Sequence, residues 1–175
     1  YQAARGKPEK RKIISRRRGY HGVTMAAASM TALAYAQNGF GLPLDFVKHT
    51  TTPDYYNEGR DGESEAEFTA RCAAELEALI IEESPETVGA LFAEPVMGAG
   101  GVIIPPAGYF AAIREVLERH DVLLVADEVI CGFGRTGEMW GSQTMDVRPD
   151  MLTCAKALSS AYLPISAVLM SDRVY

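Results

Sequence analysis

Short apolar runs alternate with segments of helical period along the whole chain, the pattern of an α/β domain. Ile13-Ile14-Ser15 predicts a short strand running into Gly19-Tyr20-His21-Gly22, and the small-residue stretch 25–36 predicts a helix. A second strand is expected over 46–50, then a polar loop over 53–62. Ser64 and Glu67 have the spacing of a capping box, in which each satisfies backbone N–H groups left free at a helix start. Beyond them Phe68, Cys72, Leu76, Leu79 and Ile80 recur at helical spacing, so one face of that helix packs inward. A strand over 88–93 ends at Glu94-Pro95, and a second amphipathic helix over 106–119 carries Phe110, Ile113 and Leu117 on one face. Val122-Leu123-Leu124-Val125-Ala126 is apolar at both alternations, as expected of a strand covered on both faces by helices. Apolar runs over 151–155 and 165–170 bracket a polar turn at Ser159-Ser160. Without repeats or a low-complexity linker, these elements predict one domain: a mostly parallel sheet flanked by helices.

Composition narrows the class. A net charge of −6 over 175 residues argues against a general nucleic-acid binder, which needs a basic surface to neutralise phosphates. The basic cluster from Lys7 to Arg18 lacks interleaved aromatics and is expected to be a solvated segment beside a strand. Cys72, Cys131 and Cys154 are odd in number and widely spaced, which disfavours disulfides and zinc and fits a reducing cytoplasm. No apolar run reaches a membrane span, so no membrane association is expected. The opening Tyr1-Gln2-Ala3-Ala4 reads like the tail of a helix already under way, and the end at Arg173-Val174-Tyr175 is abrupt. A piece of a longer protein is therefore expected.

Ligands of parallel sheets gather at the carboxyl ends of the strands. Tyr20, Glu94, Asp127 and Lys156 all fall at or just past such ends. A lysine amine and an aspartate carboxylate presented this way suit opposite ends of a pyridoxal phosphate ring. The amine forms an imine with the aldehyde, and the carboxylate keeps the pyridine nitrogen protonated. The alternative is a structural salt bridge, or two unrelated strand-end residues. Lys156 interrupts an apolar neighbourhood, which predicts a desolvated amine, and a buried Asp127 needs partners. Tyr20 is placed to stack on a flat ring or to serve as a core aromatic. Cys131 and Cys154 read as packed core thiols.

Two rival motifs fail on context. Gly132-Phe133-Gly134-Arg135-Thr136-Gly137 matches GxGxxG, but a dinucleotide site needs it between a strand and a helix, with an acid about 20 residues on. Here residues 128–131 intervene, the residues after Gly137 start a helix poorly, and Asp150 comes too soon. The run into Asp127-Glu128 also imitates the magnesium-binding strand of P-loop enzymes, yet Gly6-Lys7-Pro8 lacks the Ser or Thr that a P-loop requires.

Taken in order, five stretches resemble the class III aminotransferases of the fold-type I pyridoxal-phosphate enzymes. They are Gly19 to Gly22, Ala93 to Gly101, Ala126 to Gly137, Pro149-Asp150 and Ala155 to Pro164, which together span nearly the whole chain. The resemblance implies a pyridoxal 5′-phosphate-dependent transaminase with the aspartate aminotransferase-like large domain. Lys156 would form the Schiff base and shuttle the substrate proton, and Asp127 would partner the pyridinium. Tyr20 and Val129 would sandwich the ring, with His21 beside Tyr20 among the cofactor-binding residues. Glu94 would stand near the substrate pocket, and Arg135 would be structural. Ile130-Cys131, Trp140-Gly141 and Ser159 to Tyr162 resemble ω-aminotransferases that pass an amine to pyruvate. A taurine:pyruvate enzyme, an aminomutase, or a fold module without catalysis remains open. Ala161 departs from the family, which commonly has glycine there. The resemblance further implies a homodimer in the complete protein. It places the upstream phosphate loop, a partner-subunit threonine and the C-terminal small domain with its carboxylate-binding arginine outside 1–175.

Overall fold

The strand that is apolar on both faces is the one the molecule buries most completely. In this computed structural model, which describes residues 1–175, every residue of β4 (Leu123–Asp127) is buried. It lies inside a six-stranded sheet with β1 (Lys12–Arg16), β2 (Val47–Thr50), β3 (Val88–Ala93), β5 (Met151–Cys154) and β6 (Ala167–Met170), ordered β2-β1-β3-β4-β5-β6. The first five are parallel, and β6 runs antiparallel to β5 at the edge, so the expected architecture is present. Parallel strands put their carboxyl ends on one side of the sheet, and β4 and β5 pair with Asp127 opposite Thr153.

Two long helices cover one face. The helix α4 (Glu65–Glu82) starts with the predicted capping box between Ser64 and Glu67, and α5 (Tyr109–Arg119) packs beside it. Phe68, Leu76 and Ile80 of α4 meet Phe110, Ile113 and Leu117 of α5 over Ile14, Leu91 and Leu124 of the sheet. The α5 helix begins later than its sequence pattern suggests, because Gly108 is left-handed (φ 78°) and turns the chain into it.

Several expectations are corrected. The single helix over 25–36 is two short ones, α1 (Met25–Met30) and α2 (Ala34–Gln37). The break follows Thr31, whose hydroxyl accepts from the His21 amide (2.8 Å) and donates to the Gly22 carbonyl (3.0 Å). Residue 32 then pairs with the turn after β1 through Ala32 N to Gly19 O and Arg18 N to Ala32 O. The polar loop over 53–62 contains a one-turn helix, α3 (Tyr55–Glu58), capped by Asp54. The remaining helix, α6 (Gly141–Thr144), is also one turn.

The basic cluster is solvated only in part: Lys7, Arg11 and Arg17 are exposed, whereas Lys10 and Arg16 are buried around the interior strand β1. Lys10 is buried, and its ammonium donates to the carbonyls of Pro85, Val88, His120 and Asp121 at 3.0–3.1 Å. Arg16 is buried, donates to the Glu94 carbonyl, and lies 6.0 and 5.9 Å from the ring centroids of Tyr109 and Phe110. Residues 2–6 form turns rather than the end of a helix.

Candidate active site

The geometry starts at the carboxyl end of β4. Asp127 is buried, and each carboxylate oxygen has one partner: Oδ2 lies 2.8 Å from His21 Nδ1, and Oδ1 accepts from the Val129 amide at 3.1 Å. An ionised carboxylate only accepts, so Nδ1 of His21 carries the proton in this pair. The imidazole is held in turn. Its side chain is enclosed, its edge meets the Phe92 ring at 6.2 Å, and its backbone amide is fixed by Thr31.

Lys156 stands three residues past Thr153, the register partner of Asp127 on the neighbouring strand. It opens a 3-10 turn over Lys156–Leu158 with φ at 41°, a left-handed conformation that costs a non-glycine residue about 1–3 kcal/mol and concentrates at functional sites. Its side chain is exposed in this chain, where its apolar neighbours predict a desolvated amine. It lines a cavity of about 270 Å³ with Val129, Ile130, Arg135 and Ala157. Lys156 makes no ion pair, and Asp127 is paired with His21 instead. A structural salt bridge between the two is thereby set aside.

Glu94, expected near the substrate pocket, binds backbone amides with both carboxylate oxygens. It is buried; Oε1 accepts from the Tyr20 amide (3.0 Å) and Oε2 from the Gly98 amide (2.8 Å). The carboxylate thereby supplies an acceptor to two half-buried backbone donors, one in the turn after β1 and one after β3. Glu94 therefore clamps the backbone of Tyr20 to that of Gly98. Tyr20 itself is half-buried next to His21.

The sequence reading missed Thr31 and Glu128, and treated Arg135 as structural although it is exposed and lines the Lys156 cavity. Glu128 carried a usable signal: a second acid directly after Asp127 at the end of an apolar strand must find donors. The glycines of the GxGxxG match shape a turn that leads only into the four-residue α6, so no helix stands ready to receive a pyrophosphate. Gly134 and Gly137 are left-handed (φ 92° and 100°). Cys131 and Cys154 are buried, and burial pushes both thiols up, away from the nucleophilic thiolate. Ala161, the departure noted in the sequence, adopts φ 66°, the region glycine tolerates best. A larger cavity of about 820 Å³ lies by α3 and residues 101–107 and contains none of these groups.

The donor set fits pyridoxal phosphate on one observation in particular. Each Asp127 oxygen accepts a single hydrogen bond, so the buried carboxylate retains lone pairs for a pyridinium N–H.

The aminotransferase class-III family model matches residues 1–175. The chain is 53% identical over 174 residues to gamma aminobutyrate transaminase 1, mitochondrial, of Solanum lycopersicum, covering 99% of this chain and 34% of that protein. It is 48% identical over 177 residues to the diaminobutyrate–2-oxoglutarate transaminase of Halomonas elongata, covering 100% of this chain and 38% of that one. The omega transaminase from Pseudomonas jessenii in complex with PMP superimposes with a TM-score of 0.97 at 51% identity, over 99% of this chain and 38% of that structure. The chain thus spans 34–38% of the length of these relatives. With the family match running through every residue and the fold shared at this level of identity, the chain belongs to the class-III aminotransferases.

Proposed function

We propose that the protein containing this chain is a pyridoxal 5′-phosphate-dependent transaminase that moves an amino group from an amine or ω-amino acid to an α-keto acid such as pyruvate. The observation that carries the reading is the placement of Asp127, braced by His21, and Lys156, free at a cavity, on adjacent parallel strand ends. The relatives named as transaminases, one of them bound to PMP, support it.

When bound, pyridoxal phosphate supplies an aldehyde that condenses with amines and a ring that takes up the electron pair released at the substrate carbon. The chain's own residues do the rest. Lys156 would hold the cofactor through its amine, and the same amine, free at the cavity, would serve as the base that moves the proton at the substrate carbon. Asp127, held in place by His21, would keep the proton on the ring nitrogen. Tyr20 and Val129 would flank the ring, and Glu94 fixes the backbone of Tyr20.

The acceptor has a second reading, 2-oxoglutarate, favoured by the name of the Halomonas elongata relative. We further propose a homodimer, which the family resemblance supports, and a cytoplasmic location, supported by the three free cysteines. The test is amine transfer by the full-length gene product, with an amine donor and either keto acid. Alanine formation supports pyruvate and glutamate formation supports 2-oxoglutarate; Lys156→Ala abolishes both. Turnover retained in Lys156→Ala would sink the assignment.

A further inference from the structure

The Thr31 hydroxyl is engaged in both senses on the turn that carries His21. Thr31 is fully buried (0% exposed); its Oγ1 accepts from the His21 amide at 2.8 Å and donates to the Gly22 carbonyl at 3.0 Å. A hydroxyl has one proton to give and lone pairs to receive, so it can do both at once. Two consecutive residues of the turn after β1 therefore hang on one oxygen, where the His21 imidazole leaves for Asp127. The preceding amide, that of Tyr20, is held separately by Glu94 Oε1 at 3.0 Å. Successive amides of the turn are thus fixed by side chains from just past α1 and just past β3.

Thr31 is itself anchored to the sheet. Its amide donates to the Ala27 carbonyl as the cap of α1 (2.8 Å), and the carbonyl of the preceding Met30 accepts from the buried Ser15 hydroxyl of β1 (2.8 Å). One residue earlier, the Ser29 carbonyl lies 3.0 Å from His49 Nε2 of β2 and accepts from Gln37 at 3.1 Å. The carboxyl end of α1 is therefore tied to two strands, and the hydroxyl reaches the turn from a fixed base. The turn has little room to reorient. A Cβ on Gly19 would fall 2.9 Å from the Arg16 carbonyl and 3.3 Å from His21 Nε2, and one on Gly22 would fall 3.2 Å from Ala27 Cβ.

We propose that Thr31 is a positioning residue for transamination: its hydroxyl fixes the turn so that His21 keeps its Nδ1–H on Asp127, and the Asp127 carboxylate stays aimed at the ring nitrogen of the cofactor. The inference rests on the proposed reading in which Asp127 serves that nitrogen. Serine keeps both functions of the hydroxyl, whereas valine has nearly the same shape and neither function. Valine would leave the His21 amide and the Gly22 carbonyl without a partner, and the turn would relax to find others.

The test uses the full-length gene product with Thr31→Val, Thr31→Ser and, to identify the signal, His21→Phe. In the cofactor-free protein the His21 Nδ1–H should give a slowly exchanging downfield proton NMR signal that is absent in His21→Phe. Thr31→Ser should keep that signal, and Thr31→Val should lose it to faster exchange with water. With the cofactor bound, Thr31→Val should lower kcat about tenfold while KM for donor and acceptor stays put, and Thr31→Ser should hold kcat within about twofold of the parent. Should valine fail to fold at this buried position, Thr31→Cys, of similar size but a weak donor and acceptor, is read in the same way. A parental signal and parental kcat in the variant lacking the hydroxyl overturn the proposal. Losses that serine does not rescue overturn it too, because the hydroxyl would then not be what holds the turn. Failure of the cofactor reading shows separately, as turnover surviving in Lys156→Ala; the signal of the cofactor-free protein does not depend on it.

Discussion

His21 Nδ1 lies 2.8 Å from Asp127 Oδ2, and this contact joins the turn after β1 to the end of β4 across the intervening strand β3. It explains how a carboxylate that must face a cofactor is kept in one orientation while buried. A hydrogen bond to a charged group is worth about 1.5–3 kcal/mol, so its loss should slow a step that depends on Asp127 by about ten- to a hundredfold. His21→Phe is therefore expected to lower kcat by that factor while the cofactor is retained. Steady-state kinetics beside an absorbance spectrum checks this, and an unchanged kcat removes His21 from the account.

Asp127→Asn keeps an acceptor for the Val129 amide and removes the charge. The cofactor should still attach to Lys156, but turnover should fall by about a hundredfold or more, the scale of losing one preorganised electrostatic group. A variant with the parental rate would show that Asp127 does not serve the ring nitrogen.

The alternation of strands and helices was legible in the sequence because the burial demands are strong. The double-sided apolar run of β4 and the inward face of α4 leave little choice of structure. Lys156 and Asp127 were legible as chemistry because each ends an apolar run. Glu94 was visible as a strand-end acid, but its contacts with Tyr20 and Gly98 were not, because no local pattern announces them. Thr31 likewise breaks a helix-favouring stretch only because its hydroxyl is claimed by the turn at His21 and Gly22. The buried part of the basic segment was hidden for the same reason: Lys10 is held by four carbonyls drawn from residues 75–111 positions away along the chain.

That lysine supports a stability prediction. Its carbonyl partners include His120, the cap of α5, where the helix dipole also favours a cation. Lys10→Met leaves four acceptors without a donor and should cost about 3 kcal/mol, read as a lower Tm. Lys10→Arg should not restore it, because a planar guanidinium cannot reproduce the compact ammonium. Equal melting of parent and Lys10→Met would contradict the structure here.

Asp150 links stability to pH. Burial alone would raise its pKa, but Arg114 at 2.7 Å, the Leu124 amide at 2.8 Å and nearby Arg173 hold it below the ordinary carboxylate value. The folded pKa lies below the unfolded one, so its contribution is present above the unfolded value, about 3.9, and is lost as pH falls through the folded value. Asp150→Asn should cost about 1–3 kcal/mol near neutrality, the loss of charge-assisted bonds to the partly exposed Arg114 and Arg173. The fall of Tm with acid below about pH 4 should become shallower. Parallel Tm curves for the two proteins would exclude this role.

The most direct test of the central claim is the absorbance spectrum of the full-length gene product after incubation with pyridoxal phosphate and desalting, set beside that of Lys156→Ala. The account predicts a retained visible band that is lost in the variant. The same band persisting in Lys156→Ala would contradict it, because the cofactor would then be attached elsewhere.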